Sequence, residues 1–138
     1  MRALIDTNVV IDVLQKRAPH FDASFAVVMA CARGRAEGWF TAKAITDVFY
    51  IMHRYYHANE PCLDLVRKLY KLFRIADTTA SSCLQASFSL VSDYEDAVVD
   101  ETAKAIRADY IVTRNIDDFK NSTIPAITPS DFMLLVAA

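Results

Sequence analysis

Glycine occurs twice and proline four times in 138 residues, and no segment is of low complexity or repeats at a fixed period. Neither a flexible linker nor a solenoid is indicated, so residues 1–138 read as one compact domain. About 18 consecutive apolar residues are needed to cross a bilayer, and no such run exists; Asp6 and Asp12 interrupt any secretory stretch at the N-terminus. The expected location is cytoplasmic. Cys31, Cys62 and Cys83 are widely separated, with no C-x-x-C pair. That argues against a disulfide framework or a cysteine zinc site and leaves small buried side chains. G-x-G-x-x-G, P-loop and G-x-S-x-G motifs are also missing, which removes the usual dinucleotide, nucleotide and serine-hydrolase signatures. A net charge of -2 gives no global attraction to nucleic acid. Any polyanion has to be held locally.

Apolar residues are plentiful, at 54%, enough to build a proper core. Arg67, Lys68, Lys71 and Arg74 recur along one helical segment, where the Asp64–Lys68 spacing of four suits a solvated, ion-paired face. Lys16, Arg17, Lys43 and Arg114 lie near acidic residues in sequence. His53 and His57 are four apart on a predicted helix, but no Glu follows His53, so a surface pair is expected rather than zinc ligation.

The run Met1-Arg2-Ala3-Leu4-Ile5 reads as a buried parallel strand that closes at Asp6. Thr7 or Asn8 can cap a short helix carrying Val9, Val10, Val13 and Leu14. The pattern then predicts a helix from Pro19 to about Arg33, a strand at 39–41, and a helix over 42–57 with Ile45, Val48, Phe49, Met52 and Tyr56 on one stripe. Tyr50, Ile51 and Tyr55 make the opposite face apolar, which suits either a homodimer contact or deeper burial in the monomer. Further helices are expected at 61–72, 81–91 and 95–108, and strands at 73–76, 110–113 and 126–128. Strands alternating with helices predict a parallel sheet covered on both faces, a three-layer α/β/α domain.

Chemistry in such sheets collects beyond the carboxyl ends of the strands. Asp6, Asp47, Asp96 and the Asn115–Asp118 turn all fall at a strand exit or in the first turns of a helix expected to start at that edge. Singly, each acid could be a helix cap or a dipole partner. Jointly, they suggest a divalent-metal site. Phosphodiester hydrolysis needs a nucleophilic water and an electrophile on the phosphate, and hard oxygen ligands hold the cations that supply both. Two carboxylates about 4 Å apart repel by roughly 4 kcal/mol at an effective dielectric near 20, so Mg²⁺ or Mn²⁺ should raise the melting temperature.

The segments Leu4-Ile5-Asp6-Thr7-Asn8, Asp93-Tyr94-Glu95-Asp96-Ala97 and Ile111-Val112-Thr113-Arg114-Asn115 with Asp118-Phe119 resemble, in order and spacing, the motifs of PIN-domain proteins. The resemblance spans nearly the whole chain and is strongest to small ribonuclease toxins of toxin-antitoxin pairs, the VapC-like type. It implies a PIN-like fold with a central parallel five-stranded sheet, Mg²⁺ or Mn²⁺ as cofactor, and endonucleolytic cleavage of RNA, single-stranded in the simplest case. It also implies a cognate antitoxin over the acidic cleft. By position, the catalytic set is Asp6, Asp47, Asp96, Asn115 and Asp118, with Asp6, Asp96 and Asp118 as metal ligands and Asn8, Thr113 and Arg114 on the substrate. Two departures stand out. Aspartate replaces the glutamate frequent at the second position, and Asn115 replaces the aspartate frequent at the fourth, so Asp118 or Asp117 supplies the charge or a second metal binds weakly. The alternative is a degenerate PIN-like module that binds RNA or a protein without cutting. A phosphatase with a nucleophilic first-strand aspartate is disfavoured, because Asn8 stands where a second acid is usual.

Overall fold

A computed structural model describes residues 1–137; Ala138, the last residue of the expected domain, lies outside the described residues. The chain runs β1 (Arg2–Ile5), α1 (Thr7–Leu14), α2 (Phe21–Ala32), β2 (Glu37–Thr41), α3 (Ala42–Tyr56), α4 (Asn59–Leu72), β3 (Arg74–Ala76), α5 (Ala80–Ala86) and α6 (Tyr94–Ala105). It continues with β4 (Tyr110–Val112), a 3₁₀ turn (Ile116–Phe119), β5 (Ala126–Ile127) and α7 (Pro129–Ala137). Every strand pair is parallel, in the order β3-β2-β1-β4-β5. The three-layer α/β/α fold with a central five-stranded parallel sheet is therefore the one this chain adopts.

Alternation along the strands explains the layers, because successive side chains leave opposite faces of a sheet. Ala3, Ile5, Phe40 and Val112 enter one core with Val9, Val27, Val48, Leu69 and Phe132 from α1, α2, α3, α4 and α7. Leu4 and Ile111 point the other way, against Ala103, Ala108 and Phe119, with Trp39 partly buried beside them. A smaller cluster of Ala86, Val91, Ala97 and Val98 joins α5 to α6. Among the described residues no helix is long and apolar enough to cross a membrane.

The strand order positions the site. From β1 the chain builds outward through β2 and β3, then returns to add β4 and β5 on the other side, so the order reverses at β1 and β4. A crevice opens beyond the carboxyl ends at such a switch point. Asp6 stands at its floor, its backbone N–H donating to the Val112 carbonyl at 2.9 Å.

Helices α5 and α7 differ from the sequence pattern. Helix α5 stops at Ala86 instead of reaching Val91, and serine hydroxyls explain the stop: Ser87 Oγ donates to the Leu84 carbonyl at 2.6 Å and Ser89 Oγ accepts from Val91 N at 3.0 Å. Such bonds offer the backbone an alternative to the helical ladder. Helix α7 was not among the expected elements, although Pro129 at its first position and Thr128 Oγ1, which accepts from Asp131 N at 3.2 Å, start it in an ordinary way. On α4, Lys68 pairs with Asp64 at 3.0 Å and Arg67 with Glu60 at 3.9 Å, whereas Arg74, expected on the same helical segment, lies on β3 and pairs with Glu37 at 2.8 Å.

Gly38 lets α2 lie close against β2. A Cβ built there would stand 2.5 Å from Cys31 Sγ and 3.1 Å from the Phe73 ring, so Gly38→Ala must displace one of them. Overpacking of this kind costs about 1–3 kcal/mol. A thermal melt should show the variant unfolding several degrees below wild type, and Cys31→Ala in the same background should not restore it, because the alanine Cβ would still stand 2.7 Å from the new one.

Candidate active site

Asp6 follows the last residue of β1 and is the N-cap of α1, a role expected for Thr7 or Asn8: its Oδ1 accepts from Thr7 N at 2.8 Å. Its Oδ2 accepts from Thr113 Oγ1 at 2.8 Å and from Asn8 Nδ2 at 3.3 Å. Thr113 is fully buried just after β4, and its hydroxyl also accepts from Asn115 N at 3.1 Å. A tight network thus holds both oxygens of Asp6 and ties the two central strand ends together.

One cleft, of about 520 Å³, gathers Asp6, Asn8, Asp47, Asp96, Asn115 and Asp118. Asp47 enters from α3, near the start of a helix capped by Thr41, whose Oγ1 accepts from Ala44 N at 3.0 Å. Asp96 comes from the first turn of α6, capped by Asp93 at 3.1 Å. Asp118 sits on the exposed 3₁₀ turn, its N–H donating to the Asn115 carbonyl at 3.1 Å. Asp118 faces the cleft and Asp117 is not among its lining residues.

Thr113 and Arg114 do not line this cleft. Arg114 instead reaches into the interior, its Nε 2.6 Å from Oδ2 of the fully buried Asp12, with Arg17 at 3.9 Å from the other oxygen. Removing one partner of a buried pair typically costs about 3–5 kcal/mol. The pair therefore pins the loop after β4 onto α1, directly beneath Asn8, Thr113 and Asn115. Asn8 Oδ1 accepts from Arg114 N at 3.4 Å in the same network. Geometrically, Asn8, Thr113 and Arg114 hold the acids in place.

Arg54, Thr78 and Glu95, of which the sequence pattern implied no role, also line the cleft. Lys43 Nζ lies 2.7 Å from Asp47 and 3.4 Å from Glu95, bridging α3 to α6. Lys43, Asp47, Tyr50, Ile51 and Arg54 all line the cleft from α3, a stripe spaced by four, three, one and three residues. That spacing was visible as the counter-face of the buried stripe. Cys83, expected to be buried, is half-exposed in the cleft wall.

Electrostatics mark the cluster as strained. Burial pushes the Asp6 carboxyl above its usual range and the Asp118 charge adds to this, while hydrogen bonds from Thr113 and Thr7 and the Arg114 charge oppose it. Asp96 is raised to about 7, first by burial and then by the charges of Asp6, Asp93, Asp118 and Glu95. Among the described residues no group of three His, Cys, Asp or Glu side chains is placed to hold a metal ion by itself. The carboxylates share a cleft and feel one another's charge without converging on a point. An open set of hard oxygens fits Mg²⁺ or Mn²⁺, since Mg²⁺ usually keeps several waters and takes only one or two carboxylates plus substrate phosphates.

The raised carboxyl gives a pH signature. With a folded-state value near 7 against 3.8 unfolded, the folded protein holds a proton that the unfolded chain lacks across that window. Stability in metal-free, chelator-containing buffer should therefore fall as pH rises from about 4 to about 7. Asp96→Asn should flatten that slope and melt above wild type at pH 7.5 in EDTA. A wild-type melting temperature that does not fall across this window, or an unchanged slope in the variant, would contradict the coupling.

Comparison with known proteins places the chain beside a recognised group. A family model described as PIN domain matches residues 2–117. Among curated proteins no significant match was found. The fold is similar to that in the crystal structure of VapBC2 from Rickettsia felis bound to a promoter DNA fragment (TM-score 0.68, 15% identity, 93% of this chain and 98% of that one). It is also similar to that in a toxin-antitoxin complex from Klebsiella pneumoniae (TM-score 0.66, 22% identity, 92% and 97%). VapC20 of Mycobacterium tuberculosis, described as a sarcin-ricin loop cleaving toxin, is more distant (TM-score 0.61, 11% identity, 79% and 86%).

Proposed function

The chain belongs to the PIN-domain family, and from that premise we propose that it is a metal-dependent endoribonuclease, the toxin of a toxin-antitoxin pair. The observation that carries this reading is the set of mutually repelling carboxylates, Asp6, Asp96 and Asp118, in one cleft at the sheet's switch point. A surface whose role was only to bind RNA would gain nothing from that repulsion, because it also repels phosphate.

Asp6, Asp96 and Asp118 would hold Mg²⁺ or Mn²⁺. When bound, the cation supplies positive charge against the phosphate oxygens and lowers the pKa of water toward neutrality. Asp47 orients the attacking water from the α3 wall, and Lys43, 2.7 Å away, holds that carboxylate in place. The Asn115 amide, exposed at the cleft rim, donates a hydrogen bond to the phosphate. Water adds to phosphorus in line with the departing 3′-oxygen, leaving a 5′-phosphate and a 3′-hydroxyl. Thr113, Asn8 and the Asp12–Arg114 pair act as positioning residues for Asp6 and Asn115.

We take residues 1–138 as one PIN-like domain working in the cytoplasm. The R. felis VapBC2 and K. pneumoniae toxin-antitoxin structures support an antitoxin partner, which would cover the cleft. Exposed Tyr55, on the α3 face expected to make a homodimer contact, supports that contact; Tyr56, expected on the inward stripe, is exposed as well and stands edge-to-face on Tyr55 at 5.2 Å.

Cleavage of a labelled single-stranded RNA tests the assignment. Wild type should cut in Mg²⁺ or Mn²⁺ and stop in EDTA, with 5′-phosphate ends on the products. Asp6→Asn should lose at least 100-fold in rate, on the order of the 3 kcal/mol that a metal ligand contributes to charge stabilisation. A 2′,3′-cyclic phosphate made in metal-free buffer would overturn the mechanism, and metal binding without any cleavage would favour the non-catalytic PIN-like module.

A further inference from the structure

We infer that Tyr50 and Tyr94 form a base clamp that makes the site specific for an unpaired nucleobase beside the scissile phosphate. The inference rests on the nuclease reading above and adds to it the part of the substrate that is recognised.

The cleft that holds the acids has a second, apolar half. Tyr50, Ile51, Cys83, Tyr94, Val98 and Val99 line it together with the carboxylates, Tyr50 from α3 and Tyr94 from the start of α6. Neither ring is part of the core: Tyr50 is 64% exposed and Tyr94 52%. Both are nonetheless oriented by their neighbours. The Tyr94 hydroxyl donates to the Cys83 carbonyl at 2.9 Å, which fixes the ring while leaving it open to the cleft. Tyr50 stands edge-to-face on Phe49, with centroids 5.2 Å apart at 87°. Large exposed rings held in a fixed pose lose little rotamer entropy when something stacks on them.

Charge decides what that something is. The lining carries five carboxylates, Asp6, Asp47, Glu95, Asp96 and Asp118, against two cations, Lys43 and Arg54, and Lys43 already pairs with Asp47 and Glu95. On α4, Lys68 and Arg67 likewise pair with Asp64 and Glu60. Backbone phosphates thus find few positive charges, and affinity has to come from the bases. Stacking on aromatic rings contributes about 1–3 kcal/mol per base and tolerates any sequence. A helical duplex keeps its base faces inside the stack, whereas loops and single strands can splay a base outward. The cleft volume of about 520 Å³ falls inside the range of about 300–1,000 Å³ typical of small-ligand sites, suited to one everted nucleotide rather than a paired helix.

The test compares wild type, Tyr50→Ala, Tyr94→Ala and Tyr50→Phe, with Tyr70→Ala as an exposed aromatic control outside this cleft. Two readouts are taken: kcat/KM on a labelled single-stranded RNA and on the same strand annealed to its complement, and the anisotropy of fluorescein-labelled oligoadenylate in an Asp6→Asn background. Each cleft Tyr→Ala change should lower single-strand kcat/KM and oligoadenylate affinity by roughly 5- to 150-fold, the equivalent of one lost stack. The loss should fall mainly on KM. Tyr50→Phe and Tyr70→Ala should retain wild-type values, and the duplex should be cut poorly by all forms. Unchanged affinity and kcat/KM in both alanine variants would overturn the clamp, as would a loss of self-association with RNA binding intact, which would make this face a protein interface. If wild type cuts no RNA, the nuclease reading fails, yet the anisotropy series still decides the clamp.

Discussion

Repulsion among carboxylates crowded at one strand edge is the constraint on which the rest of this structure depends. The charge of Asp118 raises the proton affinity of Asp6, and Asp6 and Asp118 together raise that of Asp96, so the fold must hold these acids by other means. It does so with neutral donors. Thr113, Thr7 and Asn8 satisfy both oxygens of Asp6, and Asp93 caps the helix that presents Asp96. Beneath them the buried Asp12–Arg114 pair ties α1 to the loop after β4, fixing the backbone from which Asn115 and Asp118 project.

The topology makes such crowding possible. In a parallel sheet every strand ends at the same edge, and the order β3-β2-β1-β4-β5 opens that edge between β1 and β4. Helices α3 and α6 begin near the same edge, so acids in their early turns are delivered to one place from opposite directions. Lys43 spans the gap and offsets part of the excess negative charge, contacting Asp47 and Glu95. The cleft therefore combines a strained acidic floor with partly apolar walls.

Much of this was legible in the sequence, because it depends on short-range periodicity. The run Ala3-Leu4-Ile5 before Asp6, and the corresponding run before Thr113, gave the two central strands, and the cap-rich segments gave the helix starts. Helical periodicity alone leaves Asp47 free to face solvent beside Lys43; in the fold it lines the cleft with Lys43 attached. What could not be read was long-range. Asp12 and Arg114 are 102 positions apart and look like an interruption of an apolar run and an RNA-binding cation until the fold brings them together. The end of α5 depended on serine hydroxyls competing for backbone groups, a balance too fine for periodicity. Tyr50 read only as part of an apolar helix face, because a helical stripe alone does not say what shares its surroundings; in the fold it lines the same cleft as Tyr94 from α6.

The account turns on whether the acidic cluster is a cation site, and the most direct measurement is anomalous diffraction from crystals of the full chain soaked in Mn²⁺. A peak should appear in the cleft within coordination distance of Asp6 and at least one of Asp96 and Asp118, and it should vanish in Asp6→Asn. A Mn²⁺ peak confined to other surface carboxylates, with the cleft empty at saturating metal, would contradict it.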